Sequence, residues 1–287
     1  MHWSDDPNGK GNRGMAQHDS GALTTHDSDT RRRVARRRRT VAITLVAALF
    51  VAALAGGALW IRGGATFPLF GEHVAGMIAG ERGVMSADDA EQQYPFQPSA
   101  TDYDGDGVDD YTDILHGAAA DSKARPTYDD GYYQGGYPPT DKGACTDVVW
   151  RAFREAGYDL KAMVDADVVA DPASYAGVSA APDPNIDFRR TGVLDVFFSK
   201  YAQTLTTDTA DKSAWQAGDI VVFEHTRHIG VVSDKRDVNG MPFIHHNMGQ
   251  RNRENDYLAF RSHMAVTGHY RFDASRIPAD ALRAWEG

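Results

Sequence analysis

The sequence predicts an α+β domain held outside a membrane by a single anchoring helix. Three observations point there: an uncharged apolar run over residues 41–61, apolar spacing of one helix face after Cys145, and short β-type runs between turn signals from Ile220 to Asn247. The chain has 287 residues, 42% of them hydrophobic and 24% charged, so neither wholesale disorder nor a fibrous repeat fits.

Residues 1–39 carry nine basic against five acidic side chains and almost no large apolar group, which predicts a disordered basic tail. The formal net charge is nevertheless -10, so the body beyond this tail is strongly acidic and unsuited to neutralising nucleic-acid phosphates. Residues 41–61 then run without a charge, enough at 1.5 Å per residue to cross roughly 30 Å of hydrocarbon. Seven arginines, Arg31 to Arg33 and Arg36 to Arg39, precede the run, and Arg62 alone follows it closely. The positive-inside rule places the N-terminus in the cytoplasm, giving a single-pass cell-membrane protein with its domain extracytoplasmic. Ala53-Leu54-Ala55 resembles a signal-peptidase site, but the apolar run continues past it, so the expectation is an anchor (segment 40–61). Residues 62–97 read as a tether holding one short helix.

The acidic segment 98–115 contains a D-x-D-x-D-G loop. Asp102, Asp104, Asp106, Asp110 and Asp113 fall at ligand positions one, three, five, nine and twelve, with the Val108 carbonyl at seven and Gly107 at the sharp turn. Structural Ca2+ is the expected cofactor, with a solvated acidic turn as the alternative. Asp113 stands where the usual loop has a bidentate Glu.

Residues 116–275 form the expected domain, followed by a tail at 276–287. The glycine- and proline-rich stretch through Ala144 reads as a loop. Val148, Val149, Ala152, Phe153 and Ala156 then recur at helical spacing, and Gly157 stops the helix. Cys145, the chain's single cysteine, opens that helix, where the macrodipole favours a thiolate. A lone cysteine is commonly a small buried apolar group. Its place behind a glycine loop, in an oxidising compartment, makes it a candidate nucleophile. Gly218-Asp219 starts a strand at Ile220, a second begins at His228, and a third covers residues 243–247. Folding the polar run 234–240 about Asp237 sets His228 opposite His246 on one sheet face, with His245 on the other. His228 is the expected general base and His246 its orienter, with Asn247 and His245 as substitutes. Zinc binding by Cys and two His is the chemical alternative, though it lacks the short local spacing of zinc motifs. His263 and His269 read as structural or surface groups. Asp187 and Arg189, in the polar cluster after Pro182 and Pro184, suit either a substrate contact or a salt-linked loop.

In these residues the chain resembles the NlpC-type cell-wall cysteine peptidases and amidases of the papain-like superfamily: Tyr133, Gly135-Gly136, Cys145, Gly218-Asp219, His228-Ile229-Gly230 and His246 occur in the same order. It more closely resembles a bacterial domain-of-unknown-function family of YijF-like proteins. The shared stretches are 143–149, 182–190, 218–221, 228–234 and His246-Asn247. The resemblance implies a nucleophile helix packed on a small antiparallel sheet. It also implies a thiol amidase or peptidase acting through Cys145, His228 and His246, with a peptidoglycan peptide as partner. The backbone N–H of Cys145 and the Tyr133 hydroxyl would hold the oxyanion. The thiol is followed by Thr146-Asp147, where the peptidases usually have Ser-Gly. A non-catalytic, calcium-braced wall-binding module and a thiol acyltransferase are the other functions these residues allow.

Overall fold

The computed structural model describes residues 83–260 and 262–286. The basic tail and the apolar run 41–61 lie outside them. Among the described residues no helix is long and apolar enough to cross a membrane.

Residues 83–97, expected as tether, pack on the domain. Helix α1 (Ala87–Gln93) is capped by the Ser86 side chain, which accepts from the Asp89 N–H. Val84 bridges to Asp237, and Met85 donates to the Arg236 carbonyl at 2.9 Å. Helix α2 (Asp110–Ala124) begins at the end of the acidic loop, capped by Asp109. Two short strands, β1 (Thr127–Tyr128) and β2 (Lys142–Gly143), pair in parallel.

Helix α3 (Cys145–Glu155) follows, and every residue from Cys145 to Phe153 is buried. The apolar face enters the main core as its spacing predicts. The polar face is covered too, because Arg151 pairs with Asp121 of α2 at 2.5 Å and Thr146 donates to the Arg189 carbonyl at 3.1 Å. Helices α4 (Leu160–Ala170), α5 (Pro172–Tyr175) and α6 (Thr191–Tyr201) complete the helical layer.

The sheet has six strands in the order β3 (Gln203–Thr204), β8 (Val266–Arg271), β4 (Ile220–Phe223), β5 (His228–Arg236), β6 (Pro242–His245) and β7 (Glu254–Asn255). Every neighbouring pair is antiparallel. Ile220, Val222, Ile229 and Val231 face the helices, whereas Val221, Phe223, Val232 and Ile244 close over Trp215 and Leu258. Burial on both faces explains why β4 reads as a continuous apolar run. Asp219 anchors its start, buried and paired with Arg271 (2.7 Å) and His269 (2.9 Å). His269 is also stacked on Trp215 with ring centroids 3.8 Å apart, so it is a core group.

The hairpin differs from its expected register. Val231 pairs with His245 and Val232 with Ile244, which sets His246 opposite Gly230 instead of His228. The cause is Arg236. Charge made residues 234–236 read as turn, yet β5 runs through them, because Arg236 lies over the Tyr94 ring at 4.1 Å and donates to carbonyls of Lys212, Trp215 and Gly240. The turn is therefore Asp237–Gly240, beyond the Arg236–Pro242 pair, and an irregularity between Val232 and Arg236 leaves a net slip of two in pairing sum where the histidines lie. An even slip preserves faces, so His228 and His246 still share one and His245 takes the other.

Candidate functional site

His228 opens β5 and His246 follows β6, and both are almost fully buried. Nε2 of His228 lies 2.7 Å from Nδ1 of His246, and Nε2 of His246 lies 3.1 Å from Oδ1 of Asn255 on β7. The Asn255 amide nitrogen donates to the Asn252 carbonyl at 2.8 Å, which orients Oδ1 toward the ring. That acceptor places a hydrogen on His246 Nε2. His246 Nδ1 then accepts, His228 Nε2 donates, and Nδ1 of His228 is left with a lone pair. Phe223 stacks on His228 at 5.6 Å, and Tyr257 stands edge-on to it. Burial, with each ring's charged neighbours secondary, holds His228 well below 6.5 and His246 down to about 4. Both rings are neutral at physiological pH.

The Cys145 thiol is buried at the first turn of α3, 9% exposed. Its Sγ lies 3.8 Å from Thr191 Oγ1, and backbone N–H groups of Ile229 and Thr146 reach it. It therefore abuts the start of β5, one residue from His228. No thiol–imidazole hydrogen bond joins them among the described residues. The helix terminus predicted a lowered thiol pKa, but burial pushes it up, and the nearby Asp147 charge adds to this. Desolvation outweighs the dipole once α6 and β5 close over the sulfur.

The remaining candidates separate. Tyr133 turns its hydroxyl to Asp129 and Lys142, with its ring 5.3 Å from the Arg189 guanidinium. Tyr128, exposed on β1, is the tyrosine in electrostatic reach of the thiol. Burial comes first, then Asp130 and Cys145, in holding its phenol above 10. Arg189 is bidentate on Asp147, at 2.8 and 2.9 Å, and its other N–H groups meet the Gly131 and Asp129 carbonyls. Asp147 also accepts from the Ala144 N–H at 2.6 Å and from Trp150 Nε1 at 2.7 Å. This buried clamp fixes the chain on either side of Cys145. Asp187 is enclosed by Ser179, Arg190 and the Asp183 N–H. Asn247 donates to the Gly143 carbonyl at 2.8 Å and accepts from the Gly249 N–H at 3.0 Å. All three hold loops. Exposed His225 pairs with Asp195 at 3.1 Å, and half-buried His263 meets the Met264 carbonyl.

In the acidic loop, carboxylate oxygens of Asp102, Asp104 and Asp106 lie within 4.8 Å of one another, all exposed. Asp113 sits beside them, its pKa raised to about 7 by burial first and then by Asp106 and Asp104. Asp110 turns away: it accepts from the Tyr103 N–H at 2.9 Å and the Tyr158 hydroxyl at 2.7 Å.

Sequence reasoning missed Asn255, Thr191 and Tyr128. Asn255 lies on a two-residue strand with no pattern to read, and Thr191 reaches the sulfur only through the packing of α6. Tyr128 carried a visible signal, an aromatic residue just upstream of the glycine loop.

The chain matches a family described as Domain of unknown function (DUF1287) over residues 115–272. It is also 37% identical over 168 residues to "Uncharacterized protein YijF" of Escherichia coli (strain K12), covering 55% of this chain and 80% of that one. No solved structure matches it. A family match spanning more than half the chain, together with this relative, shows that the protein belongs to the DUF1287 family.

Proposed function

We propose that the domain is a thiol hydrolase of amide bonds, with Cys145 as nucleophile, His228 as base, and His246 with Asn255 as its orienting partners. The observation that carries this is the directed chain Asn255–His246–His228, which leaves a lone pair on the ring next in sequence to the Ile229 N–H at the sulfur. In the reaction, the thiol proton passes to Nδ1 of His228 and Sγ attacks the amide carbonyl. The imidazolium then protonates the leaving amine, and water hydrolyses the thioester. The Cys145 backbone N–H is one oxyanion donor of this reading, and Tyr128, whose phenol interacts electrostatically with the thiol, takes the place of Tyr133, which is engaged with Asp129. Substrate binding must bring the Cys145 and His228 side chains together, since catalytic hydrogen bonds often tighten only in the complex.

The substrate class follows from the NlpC-type order of motifs and from the arginine-flanked run 41–61, which together favour a peptidoglycan peptide outside the membrane. The acidic loop is proposed to hold Ca2+ through Asp102, Asp104, Asp106 and Asp113. A divalent cation would offset both the burial that chiefly raises Asp113 and the Asp106 and Asp104 charges that add to it.

The test is incubation of the full-length chain with peptidoglycan fragments, followed by mass spectrometry of the products. Cleavage that disappears in both Cys145→Ala and His228→Ala is expected. The buried, protonated thiol favours a second reading, a wall-binding module. Fragment binding without cleavage, unchanged in Cys145→Ala, would establish that one instead.

A further inference from the structure

His245 lines a cavity of about 390 Å³ between α2 and the β5–β6–β7 edge, on the sheet face away from the imidazole pair. It is 2% exposed. Its Nδ1 lies 2.9 Å from Ser122 Oγ, a hydroxyl with no other acceptor among the described residues. The Ser122 hydroxyl therefore donates to Nδ1, and the ring carries its own hydrogen on Nε2. That N–H is fully buried and has no hydrogen-bond partner. Glu254 Oε1, 3.8 Å away, is too far to accept it. Both Glu254 oxygens are engaged besides, Oε1 by Ser233 and Oε2 by Lys235, each at 2.6 Å. Burial holds His245 below its usual 6.5, so the ring is a neutral donor at physiological pH. A buried donor without an acceptor is destabilising until something in the cavity accepts from it.

The rest of the lining restricts what that acceptor belongs to. Lys235 and Glu254 pair with each other, so their charges offset. Two exposed charges of opposite sign remain, Lys123 in the last turn of α2 and Asp234 on β5, and neither has an ion-pair partner among the described residues. Leu115 and Ala119, half-buried on the same face of α2 as Ser122, form the apolar part of the wall. A simple anion would meet the Asp234 and Glu254 carboxylates, and a simple cation the Lys123 and Lys235 ammonium groups. A ligand with both charges a few bonds apart avoids both conflicts. We propose that this cavity binds a free amino acid as its zwitterion: the α-carboxylate accepts from His245 Nε2 and Lys123, the α-ammonium donates to Asp234, and the side chain lies against Leu115 and Ala119. The carboxylate supplies the acceptor that His245 lacks, and charge-assisted hydrogen bonds at both ends fix the ligand's orientation. The volume lies within the range of small-molecule sites. The proposal is independent of the hydrolase reading, for Cys145 and His228 take no part in it.

The experiment is calorimetric titration of the full-length chain with the L- and D-forms of alanine, glutamate and lysine. The N-acetyl derivative and the α-amide of each, and acetate, are run as controls. One equivalent of at least one amino acid is expected to bind, at least tenfold more tightly than its N-acetyl derivative, its amide or acetate. Lys123→Ala and Asp234→Asn should each weaken that binding at least tenfold, His245→Phe should abolish it, and Cys145→Ser should leave it unchanged. Absence of binding by every amino acid tried would overturn the proposal. So would acetate binding as tightly as the amino acid, or a loss confined to Cys145→Ser. If His245→Phe does not fold, the two exposed residues decide: wild-type affinity in both Lys123→Ala and Asp234→Asn overturns the site.

Discussion

His228 and His246 meet through a 2.7 Å hydrogen bond that Gly230 makes possible. Gly230 lies opposite His246 in the ladder, and a Cβ there would come within 2.9 Å of the His245 carbonyl and 3.2 Å of His246 Cβ. Any side chain at residue 230 would push β6 away from β5 and part the rings. Gly230→Ala is thus expected to remove the pair without touching either histidine. The check is loss of the coupled imidazole signals in NMR. Retention of both would show that β6 yields more than close packing allows.

Acid should unfold the protein by way of the same pair. His246 has a pKa of about 4 in the fold, against an unfolded value near 6.5, so the unfolded chain binds more protons between those limits. Its contribution to stability is complete above pH ~6.5 and is lost as pH falls toward 4. It amounts to about 3 kcal/mol, and His228 adds in the same direction. Melting temperatures from pH 7 to 4.5 should fall steeply in the wild type and less steeply in His246→Gln. Parallel profiles would mean that the rings are not buried neutral.

The thiol carries a prediction of the opposite kind. Because burial raises the Cys145 pKa, iodoacetamide labelling of the resting protein should be slow at neutral pH and accelerate only at alkaline pH. Thr191→Val removes a hydrogen bond that favours the thiolate and should slow labelling further. Fast labelling at pH 7 that vanishes in His228→Ala would instead reveal a thiolate–imidazole pair in the free protein.

The side-chain periods of helix and strand made part of this site legible. Val148 through Ala156 announced α3, and the period of two kept His228 and His246 on one face even though the register slipped. What depended on distant packing stayed hidden. Nothing local shows that Arg236 is buried among carbonyls, so a strand end read as a turn. The Cys145 pKa reversed direction because distant parts of the chain bury the sulfur, and this desolvation outweighs the hydrogen bonds from Thr191 and Ile229 that favour the thiolate. Arg189 and Asp187 looked equally fit for substrate or structure until their partners were seen.

Calcium should stabilise the protein through the acidic loop. With a dissociation constant on the order of 10⁻⁴ M, 10 mM Ca2+ would add about 2.7 kcal/mol, a rise of several degrees in melting temperature. Asp104→Asn and Asp106→Asn should each shrink that rise, while Asp110→Asn should lower stability without altering the calcium increment, because its oxygens serve Tyr103 and Tyr158. Equal melting curves with and without the ion would leave the loop as a solvated turn.

The Asp147–Arg189 pair is expected to govern stability before it touches function. The two side chains are 0% and 1% exposed and joined by two hydrogen bonds, so removing either one strands a buried charge. Asp147→Asn and Arg189→Met should each cost roughly 3–5 kcal/mol in urea unfolding, and the double substitution Asp147→Leu with Arg189→Met should recover much of it. Asp147 also holds the Ala144 N–H, the residue before the thiol. On the proposed thiol-hydrolase reading, loss of the clamp should therefore lower turnover by displacing Cys145, in step with the loss of stability. Wild-type melting of Arg189→Met, with a raised KM as its sole defect, would instead place Arg189 in contact with substrate.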